Sequence, residues 1–173
     1  DIQGAIASFT NSIAFKKEAR TFNDRASCYR LLDNNELAIK DYITAIALNS
    51  DLAFIYNNLA STYRNQGDSA KALSYYSLAI SKDTNYVLAY NNRGSLYLDL
   101  NNIENALDDI DKAISIDNDY APAYNNKGVI YHQQKKYTEA LSFFDKAISL
   151  NNNYGKAHLN RGITRQITRD EDG

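Results

Sequence analysis

Small and apolar positions recur along this chain at a fixed interval. Alanines stand at Ala38, Ala72, Ala106 and Ala140, each 34 residues after the last. A second series, Ala45, Ala79, Ala113 and Ala147, keeps the same spacing, and an isoleucine follows each member: Ile46, Ile80, Ile114 and Ile148. A third begins on an aromatic residue (Phe22, Tyr56, Tyr90, Tyr124) and continues at His158. Four residues later comes a small residue, Ala26, Ala60, Gly94, Gly128 and Gly162, and three further on a tyrosine, Tyr29, Tyr63, Tyr97 and Tyr131.

Within each unit the aromatic, the small residue and the tyrosine fall at i, i+4 and i+7, so they form one stripe of a first helix. A polar turn follows: Asp33-Asn34-Asn35, Asn65-Gln66-Gly67-Asp68, Asn101-Asn102 or Gln134-Lys135-Lys136. Beyond it runs a second stripe such as Ala72, Leu73, Tyr76, Ala79 and Ile80, again at helical spacing. Two stripes of small residues flanked by rings are what two helices need to approach closely, which predicts a hairpin in each unit. A glycine inside a helix costs about 1 kcal/mol relative to alanine. Gly94, Gly128 and Gly162 are therefore expected to recover that loss through packing that a methyl group would obstruct.

Composition narrows the picture to helices. One proline and seven glycines in 173 residues leave few places to end a strand or open a tight turn. The 19 basic and 21 acidic residues interleave and form no basic block, so nucleic acid is not an expected partner. No apolar run approaches the roughly 20 residues that cross a bilayer, so no membrane insertion is expected. Cys28 is the only cysteine, which excludes an intrachain disulfide. A chain that opens on Asp1 rather than Met is expected to be a piece of a longer one. The compartment stays open.

The aromatic, glycine, tyrosine, alanine, aromatic and alanine at Tyr124, Gly128, Tyr131, Ala140, Phe144 and Ala147 resemble the tetratricopeptide repeat. The resemblance implies an all-α fold, a right-handed superhelical solenoid of tandem antiparallel helix hairpins. It divides the chain into repeats at 19–52, 53–86, 87–120 and 121–154. Residues 1–18 then carry the second helix of a partial repeat, 155–169 a capping helix or the first helix of a further repeat, and 170–173 an acidic tail. Two departures stand out. The proline that usually closes the repeat is replaced by Ser50, Thr84, Asn118 and Asn152, which is expected to loosen the turn between repeats. The leucine usual before the glycine is Arg93, Lys127 or Arg161, which suggests a stem packed inward with its charge reaching water.

The resemblance also implies a ligand on a concave side lined by the first helices. The lining there includes the asparagine pairs Asn57-Asn58, Asn91-Asn92 and Asn125-Asn126, continued by Asn160; in the first repeat the pair is Asn23-Asp24. A carboxamide carries donors and an acceptor, matching the N–H and C=O groups of an extended peptide. Arg30 and Arg64 share one repeat position and could pair with a carboxylate of the ligand, or with Asp24 and Asp99. Phe54, Leu88 and Pro122 form a small apolar strip beside them.

No constellation for catalysis is visible. His132 and His158 lack acidic or cysteine partners at metal-ligand spacing, there is no glycine-rich phosphate loop, and the cluster Asp108, Asp109, Asp111, Asp117, Asp119 lacks a calcium-loop pattern. That cluster reads as a solvated face. No cofactor is expected. The chain is expected to be a non-enzymatic scaffold whose partner is a protein or extended peptide. Self-association through the ends of the array, as a homo-oligomer, is the alternative.

Overall fold

The computed structural model describes residues 1–171, and the end of the expected acidic tail lies outside the described residues. The described residues form helices joined by short turns, with no strand among them. They fall into two compact units, residues 1–89 and those from 90 onward. The first holds α1 (Ile2–Phe15), α2 (Ala19–Leu31), α3 (Asn35–Leu48), α4 (Ala53–Asn65) and α5 (Ser69–Lys82). α6 (Val87–Asp99) begins in the first unit and continues into the second, which also holds α7 (Ile103–Ile116), α8 (Ala121–Gln133), α9 (Tyr137–Leu150) and α10 (Gly155–Glu171). α2 pairs with α3 and α4 with α5 in the first unit, and α8 with α9 in the second, where α10 packs on α9 and α8.

The turns inside the hairpins share one geometry. Asp33, Gly67, Asn101 and Lys135 all adopt the left-handed conformation, with φ of 57°, 80°, 56° and 59°. At each, the following N–H returns to a carbonyl five residues back, as from Asn34 to Tyr29 and from Lys136 to Tyr131, both at 2.9 Å. This is the Schellman closure, and it requires a residue that tolerates positive φ. Glycine, asparagine and aspartate do; Lys135 has no such licence. Asn34, Asp68 and Asn102 then cap the next helix by accepting an N–H from Leu37, Lys71 and Asn105, whereas Lys136 gives α9 no side-chain cap.

The turns between repeats are not loose. Asn49, Asp83, Asp117 and Asn151 each accept the backbone N–H two residues on, at 2.9–3.1 Å. The side-chain oxygen fixes the turn that proline fixes in the usual repeat.

Packing in the hairpins follows the predicted stripes. The alanines of both second-helix series, Ala38 to Ala140 and Ala45 to Ala147, are completely buried, as are Tyr42, Ile110 and, within 1%, Tyr76 and Phe144. Position for position, the units solve this contact in two ways. In the first, where Ala26 and Ala60 take the small position, the hydroxyls of Tyr42 and Tyr76 lie 3.0 Å from Ser27 and Ser61. Each serine has already given its proton to the carbonyl of Asn23 or Asn57, so the phenol is the donor. In the second, a Cβ on Gly94 would come within 3.0 Å of Ile110, and one on Gly128 within 2.5 Å of the Phe144 ring. Packing demands the glycine at Gly128, and at Gly94 the Ile110 side chain would have to give way to a methyl group. Gly162 is under no such demand: a methyl group there would meet nothing within 4 Å, because no second helix covers α10 among the described residues.

The residue before each of the three glycines ends on a carboxylate, buried at Arg93 and at the surface for Lys127 and Arg161. Arg93 grips Asp109 through two bonds of 2.8 and 2.7 Å, and Arg25 grips Asp41 in the same way at 2.7 and 2.9 Å. Asp41 and Asp109 are buried, and the fork geometry of the guanidinium satisfies both carboxylate oxygens. The hydrogen bonds to these carboxylates, offset in part by burial, raise both arginines above their ordinary range. Lys127 and Arg161 turn instead to Asp111 and Asp145 on the preceding second helix, each at 2.7 Å.

Candidate asparagine interface

The paired asparagines sit near the middle of the first helices, and a helix rotates about 100° per residue, so two neighbours cannot face the same way. The first member of each pair lies three residues before the small packing residue, as Asn57 before Ala60 and Asn125 before Gly128, and shares its buried stripe. Asn57, Asn91 and Asn125 are accordingly only 5%, 6% and 3% exposed. Asn58, Asn92, Asn126 and Asn160 are half-buried and reach the surface.

The two sets are hydrogen-bonded to each other. In the second unit Asn160 Nδ2 donates to Asn125 Oδ1 at 2.9 Å, Asn125 Nδ2 to Asn126 Oδ1 at 3.4 Å, and Asn126 Nδ2 to Asn91 Oδ1 at 2.9 Å. In the first unit Asn58 Nδ2 donates to Asn23 Oδ1 and Asn23 Nδ2 to the Asp24 carboxylate, both at 3.0 Å. A carboxylate only accepts, so Asp24 fixes the direction of that chain: Asn23 must point its amide nitrogen at Asp24, which leaves its oxygen for Asn58. Asn23 and Asn125 thereby use both an N–H and the oxygen, and Asn91 its oxygen; a buried polar group left unsatisfied would cost about 1–3 kcal/mol. Chains of this kind also polarise one another.

Sequence reading placed both members of each pair against a ligand. The structure divides their roles: the buried amides seat the half-buried ones. After these bonds Asn58 and Asn160 each keep a carbonyl oxygen and one N–H, and Asn126 keeps one N–H and a lone pair. The relay also has an end in the sequence, because Leu159 stands in α10 where Asn125 stands in α8, and Leu159 is 63% exposed.

The other expected residues are placed as follows. Arg30 is half-buried, and its Nε is buried without an acceptor among the described residues. Arg64 is half-buried on the neighbouring first helix. Phe54 is half-buried beneath the guanidinium of Arg20, 5.7 Å from the ring centre, and Leu88 is exposed. His132 Nδ1 lies 2.9 Å from Thr164 Oγ1, whose own proton goes to the carbonyl of Asn160. His132 is therefore the donor, with its proton on Nδ1. The acidic cluster is not a uniform solvated face, since Asp109 is buried against Arg93 and Asp111 holds Lys127. Sequence reading missed the Arg25–Asp41 and Arg93–Asp109 pairs. Their signal was present as a shared separation of 16 residues.

Comparison with known proteins agrees with this architecture. A tetratricopeptide repeat family model matches residues 87–120 and 121–154, and a second model of the same description matches 17–85. No curated protein matches the chain. Among solved structures, MamA is 24% identical with a TM-score of 0.74, covering 90% of this chain and 92% of its own. YrrB, described as a tetratricopeptide repeat protein with an unusual peptide-binding site, is 18% identical with a TM-score of 0.70, covering 93% and 84%. The pilF protein of Pseudomonas aeruginosa is 20% identical with a TM-score of 0.80, covering 88% and 69%. At these identities the likeness carries the fold alone. No described helix is long and apolar enough to cross a membrane. With family models matching well over half its length, and with packed helix hairpins at each matched segment, the chain belongs to the tetratricopeptide repeat family, whose members generally act as non-enzymatic scaffolds for protein–protein interaction.

Proposed function

We propose that this chain binds an extended peptide through the half-buried amides of its first helices. The observation that carries this reading is the seating of Asn126 and Asn160 on the buried Asn91 and Asn125. A surface asparagine loses rotamer freedom when it binds, whereas these are already held, so less of the interaction is spent on ordering them. The spare N–H and C=O groups match a peptide backbone and read little of its sequence. The first unit repeats the device at Asn58, with Arg30 and Arg64 on the same helices to attract an acidic group of the ligand. Asn57, Asn91 and Asn125 act here as positioning residues.

The test is selection of peptides from a displayed random library on the intact chain, followed by affinity measurement with Asn126→Ala/Asn160→Ala. About tenfold weaker binding at unchanged helicity is expected. Equal affinity for the selected peptides would remove the amides from the interface. Asn125→Ala is unsuited to this purpose because it disturbs a buried network.

A second reading, assembly through the ends, is favoured by one observation. α10 leaves Gly162 uncovered, with Leu159 and Ile163 exposed at 63% and 46%. Sedimentation over a wide concentration range checks it, and a monomer mass throughout would end it.

A further inference from the structure

The hydroxyl bridge that joins α2 to α3 and α4 to α5 is missing from the hairpin of α8 and α9. Where the first unit has Ser27 with Tyr42 and Ser61 with Tyr76, the second has Val129 with Phe144. Neither carries a hydroxyl, and the Phe144 ring lies down on Gly128. A cavity of about 120 Å³ opens beside them, lined by Val129, His132, Phe144, Asn160, Ile163 and Thr164. We propose that this cavity is a specificity pocket that takes a branched aliphatic side chain of the bound peptide.

Its chemistry selects an apolar guest. Val129, Phe144 and Ile163 supply the walls. Of the polar groups on its lining, His132 Nδ1 and Thr164 Oγ1 are committed to each other, and Thr164 is also committed to the carbonyl of Asn160. A water molecule needs two to four polar partners to be held, and the walls of Val129, Phe144 and Ile163 offer none. At about 120 Å³ it is below the roughly 150 Å³ of a dry cavity that accepts benzene, a volume suited to a small aliphatic group. Ile163, 46% exposed, leaves the cavity reachable from the surface.

The same lining holds Asn160, whose side-chain Oδ1 and second Nδ2–H are left over after its bond to Asn125. A peptide whose backbone pairs with Asn160 would therefore present the neighbouring side chain to the void. The amide contacts give grip and the cavity gives choice. The inference rests on the peptide-binding reading above, and its test separates the two.

The methyl groups of Val129 and Ile163 can be followed by NMR in the whole chain as N-acetyl-leucinamide is added, with N-acetyl-serinamide as control. Saturable shifts with the leucine probe and none with the serine probe are expected. Val129→Phe fills the void, and Val129→Ser/Phe144→Tyr rebuilds the bridge that the first unit already uses; each should weaken leucine binding about tenfold or more. Lys40→Ala, an exposed change in the first unit, should leave it unchanged, and the array is read separately by affinity for the selected peptides, so a failure of the amide array does not pass for a failure of the pocket. Equal shifts with the serine probe, no shift with the leucine probe, or full leucine binding in the double variant would overturn the assignment.

Discussion

The two units place the same stripes in the same register and finish the contact differently. The first leaves a methyl group on the first helix, at Ala26 and Ala60, and ties the phenol of the opposing helix to a serine. The second removes the methyl, at Gly94 and Gly128, and lets an apolar side chain settle onto bare backbone. The first solution gives up a small apolar contact for a buried hydrogen bond. The second gains close packing, gives up helix propensity, and in the last hairpin leaves a void. A repeat position therefore specifies a fit between two residues rather than a residue.

Four substitution experiments and one titration would break or sharpen this contrast. The largest effect is expected for Phe144→Ala, about 3–5 kcal/mol of stability lost in chemical denaturation, because the ring is wholly buried. Tyr76→Phe should lose only about 1 kcal/mol, the hydrogen bond to Ser61; an equal loss in both would show that the hydroxyl bridge is not a separate device. Next come Asp41→Asn and Asp109→Asn. Both units use the bidentate arginine, whose partner carboxylates are 6% and 7% exposed, so each should cost about 3 kcal/mol by leaving a guanidinium without its charge partner. A large cost in one unit alone would mean the pairs are not equivalent.

Gly128→Ala should destabilise by about 1–3 kcal/mol, since Phe144 must move. Gly162→Ala has open space and should stabilise by up to about 1 kcal/mol through helix propensity. Opposite signs in thermal unfolding are the expected result. Smaller again, Lys135→Gly relieves a left-handed lysine at φ 59° and should add about 1 kcal/mol, a gain that Gly67 already holds in the hairpin of α4 and α5. The smallest effect concerns Tyr86 and Tyr154, at one repeat position in the two units. Burial raises both phenols above the usual value near 10. Their neutral forms favour folding, so that contribution is complete below about pH 10 and is lost as pH rises above it. Melting temperatures measured from neutral to alkaline pH should fall in that range, and Tyr86→Phe/Tyr154→Phe should flatten the fall.

Much of this molecule is written locally. A 34-residue period, two small-residue stripes and polar breaks between them determine the hairpins, because helix periodicity and turn chemistry act over a few residues. The resemblance of the motif follows from the same positions. What the sequence left open depends on a second helix. That Asn125 lies inside and Asn126 outside is decided by which neighbour covers each face. That Arg93 ends on Asp109 and not in water is decided by the helix that brings a carboxylate 16 residues away within reach. Gly128 and Gly162 read alike in the chain, yet one supports a ring and the other faces open space. Local pattern set the elements, and burial, which only their packing creates, set the role of each polar residue and glycine on them.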